Sequence, residues 1–201
     1  MRALFTSILS LSFLAACSAQ DETDAGTPSM TWWVESEASM LTFASTKNSD
    51  ITEEHEISGI EGSMTEDGEV RIRLDMSTVE TFIPIRNERV AEFLFETADY
   101  PVATITADLD YGEMSLETGD TEQHEIAFQL TLRDVTVDLS ANVEISRLEE
   151  GRVRVHSTEP IEVHAMALEL MDGIDTLQEL AGLDSITREV PVRFVIEFTR
   201  N

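Results

Sequence analysis

Along most of its length this chain alternates apolar and polar residues, and a period of two fits strands with one buried face rather than helices. In EVRIRLDM, Val70, Ile72, Leu74 and Met76 point one way, and Arg71, Arg73 and Asp75 the other. EIAFQLTL sets Ile126, Phe128, Leu130 and Leu132 on one face. DVTVDLSANVEI turns Val135, Val137, Leu139, Ala141, Val143 and Ile145 inward and Thr136 to Glu144 outward. The last strand, EVPVRFVIEF, buries Val190, Val192, Phe194, Ile196 and Phe198. Alternation this regular belongs to antiparallel sheet with a wet outer face, because parallel strands covered by helices read as unbroken apolar runs. The chain is therefore expected to be all-β, mainly antiparallel, with about eight strands that close or nearly close and so remove their exposed edges.

One hairpin register can be read directly. GRVRVHSTEPIEVHAMA offers Thr158, Glu159 and Pro160 as a loop between two alternating runs. With Ser157 opposite Ile161, Val155 faces Val163 and Val153 faces Ala165 inside, while Arg154 lies beside His164 and His156 beside Glu162 outside. A slip of one residue would set valines against charges. His156 and His164 then read as solvated cross-strand partners. His55 and His124 each sit among glutamates, with no second histidine or cysteine at zinc spacing. No metal site and no cofactor are expected.

Two segments break the alternation. From about Arg86 to Thr97, Val90, Phe93 and Leu94 recur at helical intervals, and DYP ends the helix because the residue before Pro101 disfavours it. LMDGIDTLQELAG is the second helix: Asp172 or Asp175 caps it, Ile174, Leu177 and Leu180 form its apolar stripe, and Gly182 stops it. Each stripe has to bury itself, and the mouth or flank of a barrel is the place available.

The first residues stand apart from the domain. MRALFTSILSLSFLAAC has a basic start at Arg2, an uncharged apolar run from Ala3 to Ala16, and small residues before Cys17. That is the layout of a secretory signal, and the run is too short to span a bilayer. Leu14-Ala15-Ala16-Cys17 also matches the bacterial lipoprotein signal, which makes Cys17 the expected lipid attachment residue. Cys17 is the only cysteine, so no disulfide can form within the chain. Residues 1–16 read as signal peptide, the acidic stretch 17–29 as a flexible tether, and 30–201 as one folded domain. Ser18 follows the cysteine where an aspartate would direct inner-membrane retention, so the expected location is the outer membrane, facing the periplasm.

The net charge of −27 repels phosphate backbones and excludes nucleic-acid binding. It equally describes a well-solvated surface, so it names no ligand.

Four segments, in order, resemble the YceI-like family: TWWVESEASMLTFAST; HEISGIEGSM; IRLDMSTVETFIPIRNERVAEFLFETADYPVATI; and FQLTLRDVTVDLSANVEI. The resemblance spans Thr31 to Phe198. Asp134 departs from it, standing at a turn where the family usually has glycine, as does LELMDGIDTLQELAGLD after His164. The resemblance implies a lipocalin-like antiparallel barrel that holds a long-chain apolar or amphipathic molecule, in some members a polyisoprenoid. On that reading Phe82, Phe93, Phe95, Tyr100, Phe128 and Phe194 are candidate walls or lid, and Arg86 and Arg89 candidate headgroup contacts. Taken one by one, ordinary core packing is the favoured account of the aromatics, and charge balance with Glu92, Glu96 or the helix that of the arginines.

Three functions are weighed. A tethered periplasmic carrier or scavenger of an isoprenoid-like or fatty lipid is the favoured one. A non-enzymatic stress-response or interaction module with a filled barrel is the alternative. An enzyme is not expected, since no nucleophile elbow, phosphate loop or paired histidines are present. The sequence leaves open whether the chain forms a homodimer.

Overall fold

The computed structural model describes residues 31–109 and 116–200. The segments expected to be signal peptide and tether, Cys17 among them, lie outside the described residues. Among the described residues twelve strand segments are laid down in chain order. They are β1 (Trp32–Val34), β2 (Met40–Lys47), β3 (Ile51–Ile57), β4 (Ile60–Met64), β5 (Glu69–Asp75), β6 (Val79–Glu80), β7 (Val102–Asp108), β8 (Thr121–Leu132), β9 (Val135–Glu149), β10 (Arg152–Ser157), β11 (Ile161–His164) and β12 (Glu189–Thr199).

Four pairs of segments run end to end: β1 with β2, β3 with β4, β5 with β6, and β10 with β11. Thus β2 pairs with β3 while β1 pairs with β4, and β3 pairs with β6 while β4 pairs with β5. Counted as continuous staves, the segments form a closed antiparallel barrel of eight, each stave beside its neighbour in sequence. β12 closes it by pairing with both β1 and β2. The breaks are local bends. A 3₁₀ turn at Met76–Thr78, for instance, is held by the Asp75 carboxylate accepting from Ser77 N–H at 2.9 Å.

The β10–β11 break overturns one register expected from sequence. β10 does not fold back on β11; both lie along β12, with Val155 opposite Ile196, Val153 opposite Phe198 and Val163 opposite Val190. His156 accordingly stands beside Val195, 3.8 Å from Glu144, and His164 opposite Glu189. Arg154 faces Glu197 instead of His164. The reason lies in β12, whose 11 residues are long enough to carry both segments on one edge. At the bend, Phe194 N–H donates to Ser157 Oγ at 3.2 Å, satisfying a strand donor beside the interruption.

The alternation of β5, β8, β9 and β12 follows the expected parity, with the apolar set inside. Outward positions such as Glu125, Gln129, Asp138 and Glu144 are polar, so the outer wall is water-facing, not a lipid-facing band. Between β8 and β9 a two-residue turn places Arg133 and Asp134 at φ +49° and +65°. Two left-handed residues make the hairpin turn that matches strand twist, and aspartate tolerates that conformation where most residues do not.

One part of the wall is unzipped. β9 from Val143 to Glu149 is paired with β10, but its first half, Val135 to Asn142, forms no ladder with β11, which bonds to β12 alone. Only Thr158, bonding through N–H to Asn142 O at 2.9 Å, spans the start of this seam.

The candidate ligand cavity and its lid

Inside the barrel the chain's own side chains leave a cavity of about 240 Å³. Every lining residue is apolar. By this measure one water needs only about 10–15 Å³, so the space is many times a packing defect. It is not central. Ile60, Ile72 and Leu74 of β4 and β5 are fully buried, whereas Phe128, Leu130 and Leu139 of β8 and β9 face inward yet keep accessible surface. Leu41, Phe43, Ala107, Val155, Val192 and Phe194 keep accessible surface as well, so the unfilled space lies away from the β4–β5 side of the wall.

Two helical pieces close one end. α1 (Pro84–Arg89) starts with proline in its first turn, where the missing N–H would have had no partner. It runs directly into a π turn, Val90–Leu94, marked by Phe95 N–H donating to Val90 O at 3.0 Å. The extra residue in that turn rotates its C-terminal end, so Leu94 and Phe95 line the cavity while Phe93 does not. α2 (Met171–Ala181) supplies Ile174, with Leu170 just before it. Leu170 itself is the N-cap of α2, without a side-chain cap, so neither Asp172 nor Asp175 has the expected role. Leu180 is exposed, and the buried stripe is instead Met171, Ile174 and Leu177. Gly182 ends the helix at φ +63°, as expected.

The two pieces meet closely at Gly173, where a Cβ would stand 2.5 Å from Phe93 O and 3.0 Å from Leu94 Cα. Arg89 donates to Leu180 O at 3.2 Å, clipping α1 to the carbonyl end of α2. Arg133 joins the lid to the wall by donating to Leu94 O at 3.3 Å and pairing with Glu96 at 2.6 Å. Arg86 pins α1 to β3 through Glu53 at 2.7 Å, and its other terminal nitrogen donates to Thr81 O.

Of the residues singled out from sequence, Phe95, Phe128 and Phe194 line the cavity. Phe82, Phe93, Tyr100, Arg86 and Arg89 are not part of its lining. Phe82 has φ +63°, a conformation uncommon for a bulky residue, and is 64% exposed, turned away from the barrel. Both arginines are engaged in holding the lid.

Sequence reasoning passed over the polar end of β2 and β3. Leu41, Phe43, Ser45 and Lys47 share one face of β2, and Ile57, His55 and Glu53 share the matching face of β3. Leu41, Phe43 and Ile57 line the cavity. His55, opposite Phe43, is 3% exposed and meets its ring edge-on with centroids 5.1 Å apart. Its Nε2 is 2.8 Å from Ser45 Oγ. Burial, and then the nearby Arg86 charge, hold its imidazole below the usual range. Glu53 pairs with Lys47 and with Arg86, each at 2.7 Å.

On the outer face a carboxylate is buried. Glu197, 2% exposed, accepts from Arg152 Nε and Arg154 Nε at 2.8 Å each, and its backbone N–H donates to Ser39 Oγ at 3.0 Å. Burial alone would raise its pKa, but the two guanidiniums outweigh it and hold the carboxyl below the ordinary range. No group of metal-binding side chains is present among the described residues.

A family model describing a YceI-like domain matches residues 32–198. Among solved structures, a polyisoprenoid-binding domain from Saccharophagus degradans, implicated in plant cell wall breakdown, is 32% identical and superposes with a TM-score of 0.82. That match covers 85% of this chain and 98% of the other. Burkholderia cenocepacia BcnA is 13% identical, with a TM-score of 0.61 over 82% of this chain and 98% of its own. A Campylobacter jejuni YCEI protein is 13% identical, with a TM-score of 0.51 over 73% of this chain and 84% of its own. These two likenesses speak to the fold alone. No curated protein matches the sequence.

Proposed function

Because this chain belongs to the YceI-like family, we propose that its barrel binds a long-chain apolar or amphipathic lipid, isoprenoid- or fatty-acid-like, and carries or sequesters it. The observation that carries the reading is the cavity. At about 24 cal/mol per Å³, leaving 240 Å³ dry and unfilled costs roughly 6 kcal/mol. That is comparable with the entire stability of a typical domain, about 5–15 kcal/mol. A cavity of this size and purely apolar lining is better explained by a ligand than by packing. Each methylene moved from water into it contributes about 0.8 kcal/mol, so ten would supply about 8 kcal/mol before the cost of association. The filled-barrel module is disfavoured by the same volume.

The wholly apolar lining suits the binding of a hydrocarbon chain. Phe95, Phe128 and Phe194 form part of the wall on this reading, and Arg86, Arg89 and Arg133 keep the lid in place. We place the protein in the bacterial periplasm, tethered through Cys17 to the outer membrane, from the signal layout of its first residues.

The test is to purify the protein from its native host and extract it with organic solvent for mass spectrometry. A stoichiometric long-chain lipid is the expected result. A clean extract, together with failure of long-chain lipids to displace a neutral fluorescent probe, would overturn the proposal.

A further inference from the structure

The cavity lining is wholly apolar, yet the inward face of the β2–β3 ladder turns polar immediately beyond it. Two buried polar atoms there make no hydrogen bond of normal distance and angle: His55 Nδ1, on an imidazole with only a weaker interaction with the Glu54 backbone, and Arg86 Nε. Unsatisfied buried groups are few in native structures, and each one calls for an explanation. Both belong to one cluster, since Arg86, Glu53 and Lys47 all act electrostatically on His55. Lys47 is the only lysine in the chain, and with Arg86 it outnumbers Glu53, leaving the cluster one positive charge in excess within a chain of −27. The ring of His55 touches Phe43, a cavity wall, and Phe43 in turn meets the lid residue Phe95 edge-on at 6.5 Å.

We infer that Ser45, His55 and Arg86 form a polar head site at the lid end of the cavity, and that the ligand is a single-chain amphiphile with an oxygen-acceptor head, best a carboxylate. This rests on the reading that the barrel holds a long-chain molecule. The hydrogen bonding fixes the roles. With Ser45 O–H donating to Nε2, the neutral imidazole carries its proton on Nδ1 and presents it as a donor. Arg86 Nε–H is a second donor in the same cluster, because the terminal nitrogens of that guanidinium are already committed to Glu53 and Thr81 O. Two donors and a local positive charge suit an anionic or carbonyl oxygen, and charge-assisted bonds of that kind are the stronger class. A terminal methyl or alkene would leave both donors unsatisfied.

The test compares three C18 probes below their aggregation limits: oleate, oleyl alcohol and 1-octadecene. Each displaces the neutral dye N-phenyl-1-naphthylamine from the delipidated full domain. In the wild type, oleate should bind at least tenfold more tightly than 1-octadecene, with the alcohol between them. In His55→Leu that ratio should fall at least threefold, the remainder being held by Arg86, with affinity for 1-octadecene unchanged, which a general loss of structure would not leave. Ser45→Ala keeps the ring but frees its tautomer, and should reduce the ratio severalfold; it serves if His55→Leu fails to fold. Equal binding of all three probes by the wild type, or an undiminished preference in His55→Leu, would overturn the head site while leaving the lipid reading intact. Failure of every probe to displace the dye would overturn both.

Discussion

Ala107 of β7 lines the cavity and retains accessible surface, so its replacement by leucine asks directly whether the barrel is hollow. The substitution adds three carbons. If they enter unfilled space, at about 0.8 kcal/mol each, the gain is up to roughly 2.4 kcal/mol. If the interior is full, overpacking costs about 1–3 kcal/mol. The two cases differ in sign, and the distinction does not depend on the accuracy of either number. For a domain of this size, about 2–4 °C of Tm accompanies each kcal/mol, so the hollow case gives an increase of about 5–10 °C. The measurement is thermal and urea unfolding of protein refolded from denaturant, after lipids have been removed on an alkyl resin. Ala127→Leu, at an exposed outward position on β8, supplies the control for the strand preference of leucine. Ala107→Leu should also weaken N-phenyl-1-naphthylamine binding severalfold, since side chain and dye compete for one space. A fall in Tm with dye binding unaltered would refute the claim that the cavity is available to a ligand.

Glu197→Gln should lower stability by about 1–3 kcal/mol through loss of the charge-assisted bonds to Arg152 and Arg154, read as a drop in urea midpoint at pH 7. Because the folded-state pKa is depressed, the contribution of Glu197 is present above its unfolded value near 4.5 and vanishes as pH falls through the lower folded value. The wild type should therefore lose stability more steeply than Glu197→Gln as pH falls below about 5; parallel curves would count against the pairing. Gly173→Ala drives a methyl against Phe93 O, so it should displace α2 from the π turn, cost roughly 1–3 kcal/mol and speed dye release in stopped flow. Unchanged release would show that the lid does not control access. Cys17→Ala should move the protein from the membrane to the soluble fraction, and unchanged fractionation would end the tether proposal.

The eight-staved wall was legible because parity is a local property: each strand carries its own in-and-out record. What parity cannot show is whether a chain turns back or goes on. Ser157 and Ile161 are both buried whether the three residues between them form a hairpin loop or an interruption, and only the length of β12 decides the matter. The same limit explains the lid. Phe93 sits at a helical interval from Val90, but a π turn adds a residue and passes the inward position to Leu94 and Phe95. His55 was within reach: the parity that places Ile57 inside also places His55 there, and its glutamate neighbours disguised it as a surface residue. The roles of Arg86, Arg89 and Arg133 depend on carbonyls and carboxylates distant in sequence, which no local pattern records.

The unladdered stretch between Val135–Asn142 and Ile161–His164 gives the vessel an expansion joint. Elsewhere, widening the circumference means breaking rows of amide bonds; here only the Thr158–Asn142 bonds at the start of the seam stand in the way, and Leu139, Ile161 and Val163 on either side line the cavity. Capacity would then be set by the cargo's girth, so tails of differing length or branching should fit one wall, and discrimination among them would fall to whatever grips the other end.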